Sequence, residues 1–503
     1  MKNNIRKLTA LGLVLLMLAG ILCACGKKQT DEEKPTGTTP ATDTGENTSD
    51  DYDENGYLKD DLPDHYDFDE DYVIYTWQEM KNWEWVDAGS EINGTVMQKL
   101  VERQQHIEDR FGITIRMAYA AGNWTSRVEF VANMANSIQN NMHSYDLIGQ
   151  YTPAAGLGAI QGLYYDLYDL PHLNLEKPWW PKSISDTCSV GTKLYMITGD
   201  ITPTLVRNVH CMFVNTDLFN SLNLSTATGN GRSIYEVVED GDWTLEMLKT
   251  LGLDRVGSMD GVPDEQKQYG ISFLNAVSAD AFYYGGGFQL VDNTDGVLSL
   301  SKDLTSVQLS DWFDEVKKLF SGSYADAGVY GSEVFRNGRA LFYAGSIADS
   351  QAFSEENLKF TILPQPKRTS DQEAYYTVSS FWVTMYSVPS DADNAEMSGM
   401  VLEGLASDAY RNVKDEVYYN MFQMRYNAGF EGDGMLRAKM FDIVSQSVVF
   451  DTARFFADEL EMFGVFRNAV NDASGASGSW STVYGGYGTV WEQKIENIYG
   501  KLG

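Results

Sequence analysis

Hydrophobic and polar positions alternate between two periods along much of the chain. Tyr72 to Trp77 is a β-rich run, after which Met97, Leu100, Val101, Ile107 and Phe111 recur at helical spacing, and Phe111-Gly112 marks a helix end. Ile113 to Met117 predicts a second strand, Val128, Val131, Ala132, Ala135 and Ile138 a second helix, and Tyr145 to Tyr151 a third strand. Strand, helix, strand, helix, strand is the order of a parallel sheet covered on both faces, so the fold class is α/β. Ligands of such sheets bind beyond the carboxyl ends of the strands, which places Trp77, Gln78 and Glu79 with Gln150 and Tyr151 at one rim.

A second body follows downstream. Trp243, Leu245, Met247 and Leu248 open a helix after Asp242, Tyr269 to Phe273 reads as a strand, and Val291-Asp292-Asn293-Thr294-Asp295-Gly296-Val297 reads as a hairpin turn between short strands. Trp312, Phe313, Val316, Leu319 and Phe320 share one helical face, which core packing explains better than an aromatic site. Ala340 to Tyr343 and Phe360 to Leu363 are further strands, the second ended by Pro364. No repeat of fixed period appears.

Before the first strand the pattern is of another kind. Lys2, Arg6 and Lys7 precede an apolar run from Leu8 to Leu22 that is too short for an ordinary membrane span, as in a secretion signal. The run ends in Leu22-Cys23-Ala24-Cys25-Gly26, which resembles the lipobox of bacterial lipoproteins and makes residues 1–24 a signal peptide and Cys25 the lipidated residue. Residues 25–70 turn to Thr, Pro, Gly, Ser and acid with no apolar periodicity, which predicts a disordered, self-repelling tether. Within it Asp51-Tyr52-Asp53-Glu54-Asn55-Gly56 matches the first half of an EF-hand calcium loop. Leu62 stands where a bidentate Glu is needed and no helical pattern flanks the loop, so a charged leash is expected and no metal site.

In the 503 residues, 71 Asp and Glu outweigh 38 Lys and Arg, a formal net charge of −33. That balance, without a basic block, excludes nucleic acid as a partner. With 43% hydrophobic and 13% aromatic residues the chain can bury more than one core. Of four cysteines, Cys188 and Cys211 remain after cleavage, and a reduced, buried pair is expected over a bridge.

Signals for catalysis are poor. His65, His106, His143, His172 and His210 are dispersed, and there is no His-Glu-x-x-His helix, no Gly-x-Ser-x-Gly elbow and no Walker-type loop. Gly156-Leu157-Gly158 and Gly285-Gly286-Gly287 read as tight-turn glycines, since neither carries the full dinucleotide fingerprint. No catalytic residue, metal or cofactor is expected. Binding signals are better, because flat aromatics and planar polar side chains together complement a solute with both apolar faces and polar edges. Trp77, Tyr151, Tyr343 and Trp382 supply aromatic faces, while Glu79, Gln150, Asn208 and Asn275 supply hydrogen-bonding edges.

Several blocks in order carry a likeness. They are Phe111-Gly112-Ile113-Thr114-Ile115, Tyr145-Asp146-Leu147-Ile148, Val209-His210-Cys211-Met212-Phe213-Val214-Asn215-Thr216-Asp217-Leu218-Phe219 and Gly241-Asp242-Trp243-Thr244. Tyr269-Gly270-Ile271, Gly285-Gly286-Gly287, Phe335-Arg336-Asn337-Gly338-Arg339-Ala340 and Leu363-Pro364-Gln365-Pro366 follow. Over roughly residues 70 to 450 the chain resembles the extracellular solute-binding lipoproteins of ABC importers, in the large sugar-binding type that includes maltose-binding protein.

The resemblance implies two α/β lobes joined by a hinge, with solute in the cleft between them: lobe 1 over 71–203 plus 379–433, lobe 2 over 204–378 plus 434–503, and crossings near Pro203-Thr204 and Thr377-Val378. It places Asn208 where the family often puts a polar ligand contact. Ser346 occupies the region where maltose-binding relatives carry a stacking Trp, a departure that sets this chain apart from maltodextrin binders. The implied function is a receptor without catalysis, tethered at the outer face of the cell membrane by lipid on Cys25, that delivers a carbohydrate, an oligosaccharide above all, to the permease subunits of an ABC importer. The alternatives are a surface lipoprotein glycoside hydrolase using an acid pair and a carbohydrate sensor or adhesin without a transporter.

Overall fold

The computed structural model describes residues 51–253, 261–263, 266–322, 325–326, 331–419, 434–472 and 477–503. The expected signal peptide, Cys25 and the tether as far as residue 50 lie outside the described residues, as do residues 420–433 of the expected first lobe. Among the described residues no helix is long and apolar enough to cross a membrane.

The strands in chain order are β1 (Glu70–Trp77), β2 (Ile113–Ala120), β3 (Leu147–Tyr151), β4 (His210–Asn215), β5 (Tyr269–Phe273), β6 (Val291–Thr294), β7 (Val297–Leu300), β8 (Ala325–Asp326), β9 (Ala340–Ser346), β10 (Phe360–Leu363), β11 (Thr377–Val378), β12 (Thr384–Ser387) and β13 (Val448–Val449). They form a sheet ordered β12-β3-β1-β2, a second ordered β10-β4-β9-β5-β8, the hairpin β6-β7 and the short ribbon β11-β13. In the first sheet β1 pairs in parallel with β2 and β3, as the alternating periods predict, and β12 adds an antiparallel edge from far downstream. In the second, β4 and β9 are buried along their whole lengths, with apolar interiors at residues 211–214 and 340–344. Phe213 anchors that core with ring centroids 5.7 Å from Tyr343 and 5.1 Å from Phe353.

The helix Thr95–Phe111 buries Met97, Leu100, Ile107 and Phe111 and stops at Gly112, whose φ of 59° is left-handed. Glycine is required there twice over, since a Cβ would also stand 2.1 Å from Asp67 Oδ1. This close approach corrects the tether reading at its downstream end. The backbone N–H groups of Tyr66, Phe68 and Asp69 donate to the carbonyls of Arg110, Phe111 and Gly112, capping acceptors that the helix leaves unpaired. Asp60 accepts a two-pronged bond from Arg110 at 2.7 and 3.0 Å, Lys177 pairs with Asp61 at 2.8 Å, and the Tyr57 ring meets Tyr410 edge-on at 5.5 Å. Asp60 and Asp61 thus pair with cations of the folded body. In the calcium-like stretch Asp53 Oδ1 accepts from the N–H groups of Asn55 and Tyr57, and Leu62 is buried.

Passage between the two sheets uses segments that run side by side. Val209 bridges Ser379, the Ser380 N–H donates to the Asn208 carbonyl at 2.8 Å, the Thr377 hydroxyl donates to the His210 carbonyl at 2.7 Å, and β13 pairs in parallel with β11.

The segment beyond residue 450, expected with the second lobe, touches both. Helices Thr452–Phe455 and Ala457–Leu460 pack on Thr152–Ile160 beside the first sheet, whereas Phe463–Val470 packs on Ser278–Gly285 and Val307–Ser321 beside the second. Gly156 permits the first contact, because a Cβ there would lie 2.1 Å from the Phe455 carbonyl oxygen. Gly156 and Gly158 are therefore close-packing glycines inside a helix, not turn glycines. Cys188 and Cys211 are free and buried.

Candidate binding site

The site starts at the carboxyl ends of β1 and β3. Tyr151 closes β3 just before the helix Thr152–Ile160, and Trp77 closes β1. The Trp77 ring lies 5.2 Å from Tyr151 and 5.5 Å from Trp382, and its Nε1 donates to the Thr384 hydroxyl at 2.9 Å. Tyr151 and Trp382 open onto a cavity of about 630 Å3, with the fully buried Trp77 packed against both.

The other walls come from distant parts of the chain. Asn208 and His210 arrive at the first crossing, Asn275 follows the end of β5, and Ser346 closes β9. Phe381 belongs to the second crossing, and Arg454, Phe463 and Arg467 to the segment beyond residue 450. Trp124, 42% exposed, sits on the loop after β2, stacked 6.3 Å from Phe381 and edge-on to Phe463 at 5.6 Å. Arg127, itself bonded to Asp458 at 2.5 and 2.8 Å, lies 3.9 Å from the Trp124 ring.

Of the sequence-predicted residues the cavity collects Tyr151, Asn208, Asn275, Ser346 and Trp382. Four others lie elsewhere. Trp77 packs behind the wall. Gln150 is buried in a core network, donating to Ser387 Oγ at 3.1 Å and accepting from the Tyr164 hydroxyl at 2.7 Å, because the residue before Tyr151 on a strand faces the opposite side. Tyr343 is buried in the aromatic core of the second sheet and donates to Asp349 at 3.1 Å. Glu79 accepts from the N–H groups of Gly122 and Asn123 at 3.1 and 3.3 Å, and so fixes the loop that carries Trp124. Sequence reasoning missed Trp124, His210, Phe381, Arg454, Phe463 and Arg467. The aromatic doublet Phe381-Trp382 was a usable signal, but nothing local pointed to residues beyond 450.

The electrostatics are set by arginines. Asp280, 3% exposed, accepts from Arg467 through Nε at 3.0 Å and through Nη2, and stands 3.6 Å from Arg454 Nη1. Arg454 also donates through Nη2 to the Ser379 carbonyl at 2.9 Å and lies 4.1 Å from the Phe381 ring. Burial, helped by the Arg454 charge, pushes His210 down to about 4, so it is neutral at physiological pH. Burial raises the Tyr151 hydroxyl well above its ordinary value, although the charges of Arg454, Arg127 and Arg467 oppose that rise.

A smaller cavity of about 240 Å3 opens beside the crossings, where Lys414 and Asp200 pair with each other at 3.1 Å and Phe450 is the aromatic on the wall. Its charges are spent on one another, so the larger cavity is the better-equipped site.

Solved structures match over most of the chain. The GacH receptor of Streptomyces glaucescens, solved unliganded and in complex with acarbose, superposes with a TM-score of 0.53 at 12% identity, over 85% of this chain and 98% of that one. The chain has the two-lobed fold of the periplasmic binding proteins. A cyclo/maltodextrin-binding protein complexed with maltotetraose matches with a TM-score of 0.52 at 13% identity, over 86% of this chain and 96% of that one. The maltose-binding periplasmic protein MalE from Listeria monocytogenes, in complex with maltose, matches with a TM-score of 0.51 at 10% identity, over 86% and 98%. These structures are of binding proteins. No family model matches the chain, and no curated protein matches it. In the two-lobed fold the cleft lies between the sheets, and here the cavity draws its walls from both sheets and both crossings.

Proposed function

We propose that this chain is an extracellular solute-binding receptor that captures a carbohydrate and delivers it to the permease subunits of an ABC importer, without catalysis of its own. The observation that carries the reading is the cavity: the exposed rings of Trp124 and Trp382 face a space bounded by Asn208 and Asn275 at the junction of the lobes. Flat rings against sugar CH faces, with amides at their edges, are the chemistry that binds saccharides. The sugar ligands of the fold's neighbours support it. The lipobox supports a receptor held at the outer face of the membrane through Cys25, with residues 26–50 as its leash.

Capture works by closure of the two lobes about the crossings. A solute gripped by both stabilises the closed form only through contacts absent from the open one. The test is to incubate the purified protein with an oligosaccharide panel, analyse the sugars afterwards, and measure the radius of gyration by scattering with and without a binding member. The expected result is unchanged sugar and a smaller radius on binding. Cleavage products would replace the receptor with a hydrolase, and an unchanged radius would replace the closing hinge with a rigid cleft.

A further inference from the structure

The charge of the cavity wall narrows the solute, given that the carbohydrate reading holds. In a chain with 71 acids and 38 basic residues, the charged residues on this wall are Arg454 and Arg467, and among the described residues no Asp or Glu lines it. The nearby acids are occupied with other donors: Asp280 with Arg467, Asp458 with Arg127, and Asp451 with the N–H groups of Leu290 and Ala453 at 2.6 and 2.9 Å. One buried carboxylate, Asp280, therefore orients two guanidiniums. Among the described residues the buried Nη1 of Arg454 has no hydrogen-bond partner, its ion pair with Asp280 being 3.6 Å long, and the side chain is only 7% exposed.

One neutral group, Asn275, leans the same way. Asn275 Oδ1 is spent on the Val277 N–H at 2.7 Å, which leaves its amide NH2 to offer. A neutral sugar needs acceptors for its hydroxyl protons, whereas the charged groups of this wall are donors only. A guanidinium fork matches the paired oxygens of a carboxylate or sulfate and binds them more strongly than neutral groups. We propose that the solute is an anionic saccharide, carrying carboxylate or sulfate, whose charged group is received at Arg454 and Arg467 while its ring faces meet Trp124 and Trp382.

The test is calorimetric titration of the full chain with tetragalacturonate, its methyl ester, a sulfated chondroitin tetrasaccharide, maltotetraose and citrate. The expected result is that a charged saccharide binds at least about tenfold more tightly than the ester and maltotetraose, the gap that one charge-assisted bond produces. That margin should shrink with added salt. Arg454→Gln should lose it. Arg454→Lys should keep part of it, which guards against reading misfolding as lost recognition. The two tetrasaccharides separate carboxylate from sulfate. If the ester or maltotetraose binds as tightly as the charged sugars, the anionic solute is refuted and the carbohydrate receptor stands. If citrate binds and no saccharide does, the carbohydrate reading itself falls. If neither charged saccharide binds, the proposal is overturned.

Discussion

Asn208 donates its side-chain amide to the backbone carbonyl of Trp382 at 2.5 Å, and so ties the first crossing between the lobes to the second at the rim of the cavity. The same Nδ2 also donates to the Thr204 carbonyl at 3.0 Å. Both donors are spent on the hinge, and only Oδ1 remains for a solute. Asn208→Ala should therefore lower stability by about 1–2 kcal/mol, the sum expected for two such bonds, as well as weaken binding. Chemical denaturation of the unliganded protein checks this, and an unaltered midpoint would mean the tie is idle.

Trp382 and Trp77 touch one another but should respond oppositely to truncation. Trp382 is 41% exposed, so Trp382→Ala should cost about 1–3 kcal/mol of solute binding with little change in melting temperature. Trp77 is fully buried, and Trp77→Ala should cost about 3–5 kcal/mol of stability. Paired titration and melting curves decide it; equal melting losses in the two variants would contradict the assignment.

Glu84 makes stability depend on pH. Burial pushes its carboxyl up to about 7, against the opposing effects of Thr204, Thr384, Arg103 and Tyr386. In the unfolded chain it ionises near 4.5. Between about 4.5 and 7 the folded state holds more protons, so this group's effect is a loss of stability as pH rises through that window. Glu403, raised by burial to about 7 beside Trp179 and Trp180, acts in the same sense. His210, held down to about 4, acts in the opposite sense below 6.5. Melting temperatures across the window should fall more steeply for the native chain than for Glu84→Gln; parallel profiles would rule the carboxyl out.

Gly156→Ala tests whether the segment beyond residue 450 braces the site. The added methyl has to displace the Phe455 carbonyl, which should cost about 1–3 kcal/mol of stability. Arg454 is the next residue upstream of Phe455, so solute affinity should fall as well. Lost stability with intact affinity would show that Arg454 is held independently of this contact.

Asp60 tests the docked leader. It is 2% exposed at the side chain and shared between Arg110 and Arg411. Asp60→Ala leaves a partly buried guanidinium without its counter-charge and should lower stability by about 3 kcal/mol. A midpoint within error of the native chain would return residues 57–69 to the leash.

Local pattern carried much of the fold into view. The runs at Tyr72–Trp77 and Tyr145–Tyr151 and the stripe from Met97 to Phe111 announce strands and a helix, because side-chain direction repeats every two residues in one and every 3.6 in the other. Tyr269 to Phe273 and Phe360 to Leu363 coincide with β5 and β10 residue for residue. The strand-end rule reached Tyr151 but could not separate it from Gln150, since the face each presents depends on what lies across the sheet. The acid-rich composition of residues 57–69 read as repulsion because their partners, Arg110, Lys177 and Tyr410, are distant in sequence.

The sequence by itself determined the α/β alternation, which resides in neighbouring residues, and it carries the lipobox-like Leu22-Cys23-Ala24-Cys25-Gly26. Tertiary structure alone decided which side chains meet in the cavity. Tyr151, Asn208, Trp382 and Arg454 come from four separated segments, and they meet because parallel strands end at one rim and the crossings bring the later segments beside it. Periodicity has no term for that distance. The pairing of Arg454 with Asp280 is a contact across the fold, set by packing of the last helices on both lobes and by the cost of burying a guanidinium without a counter-charge.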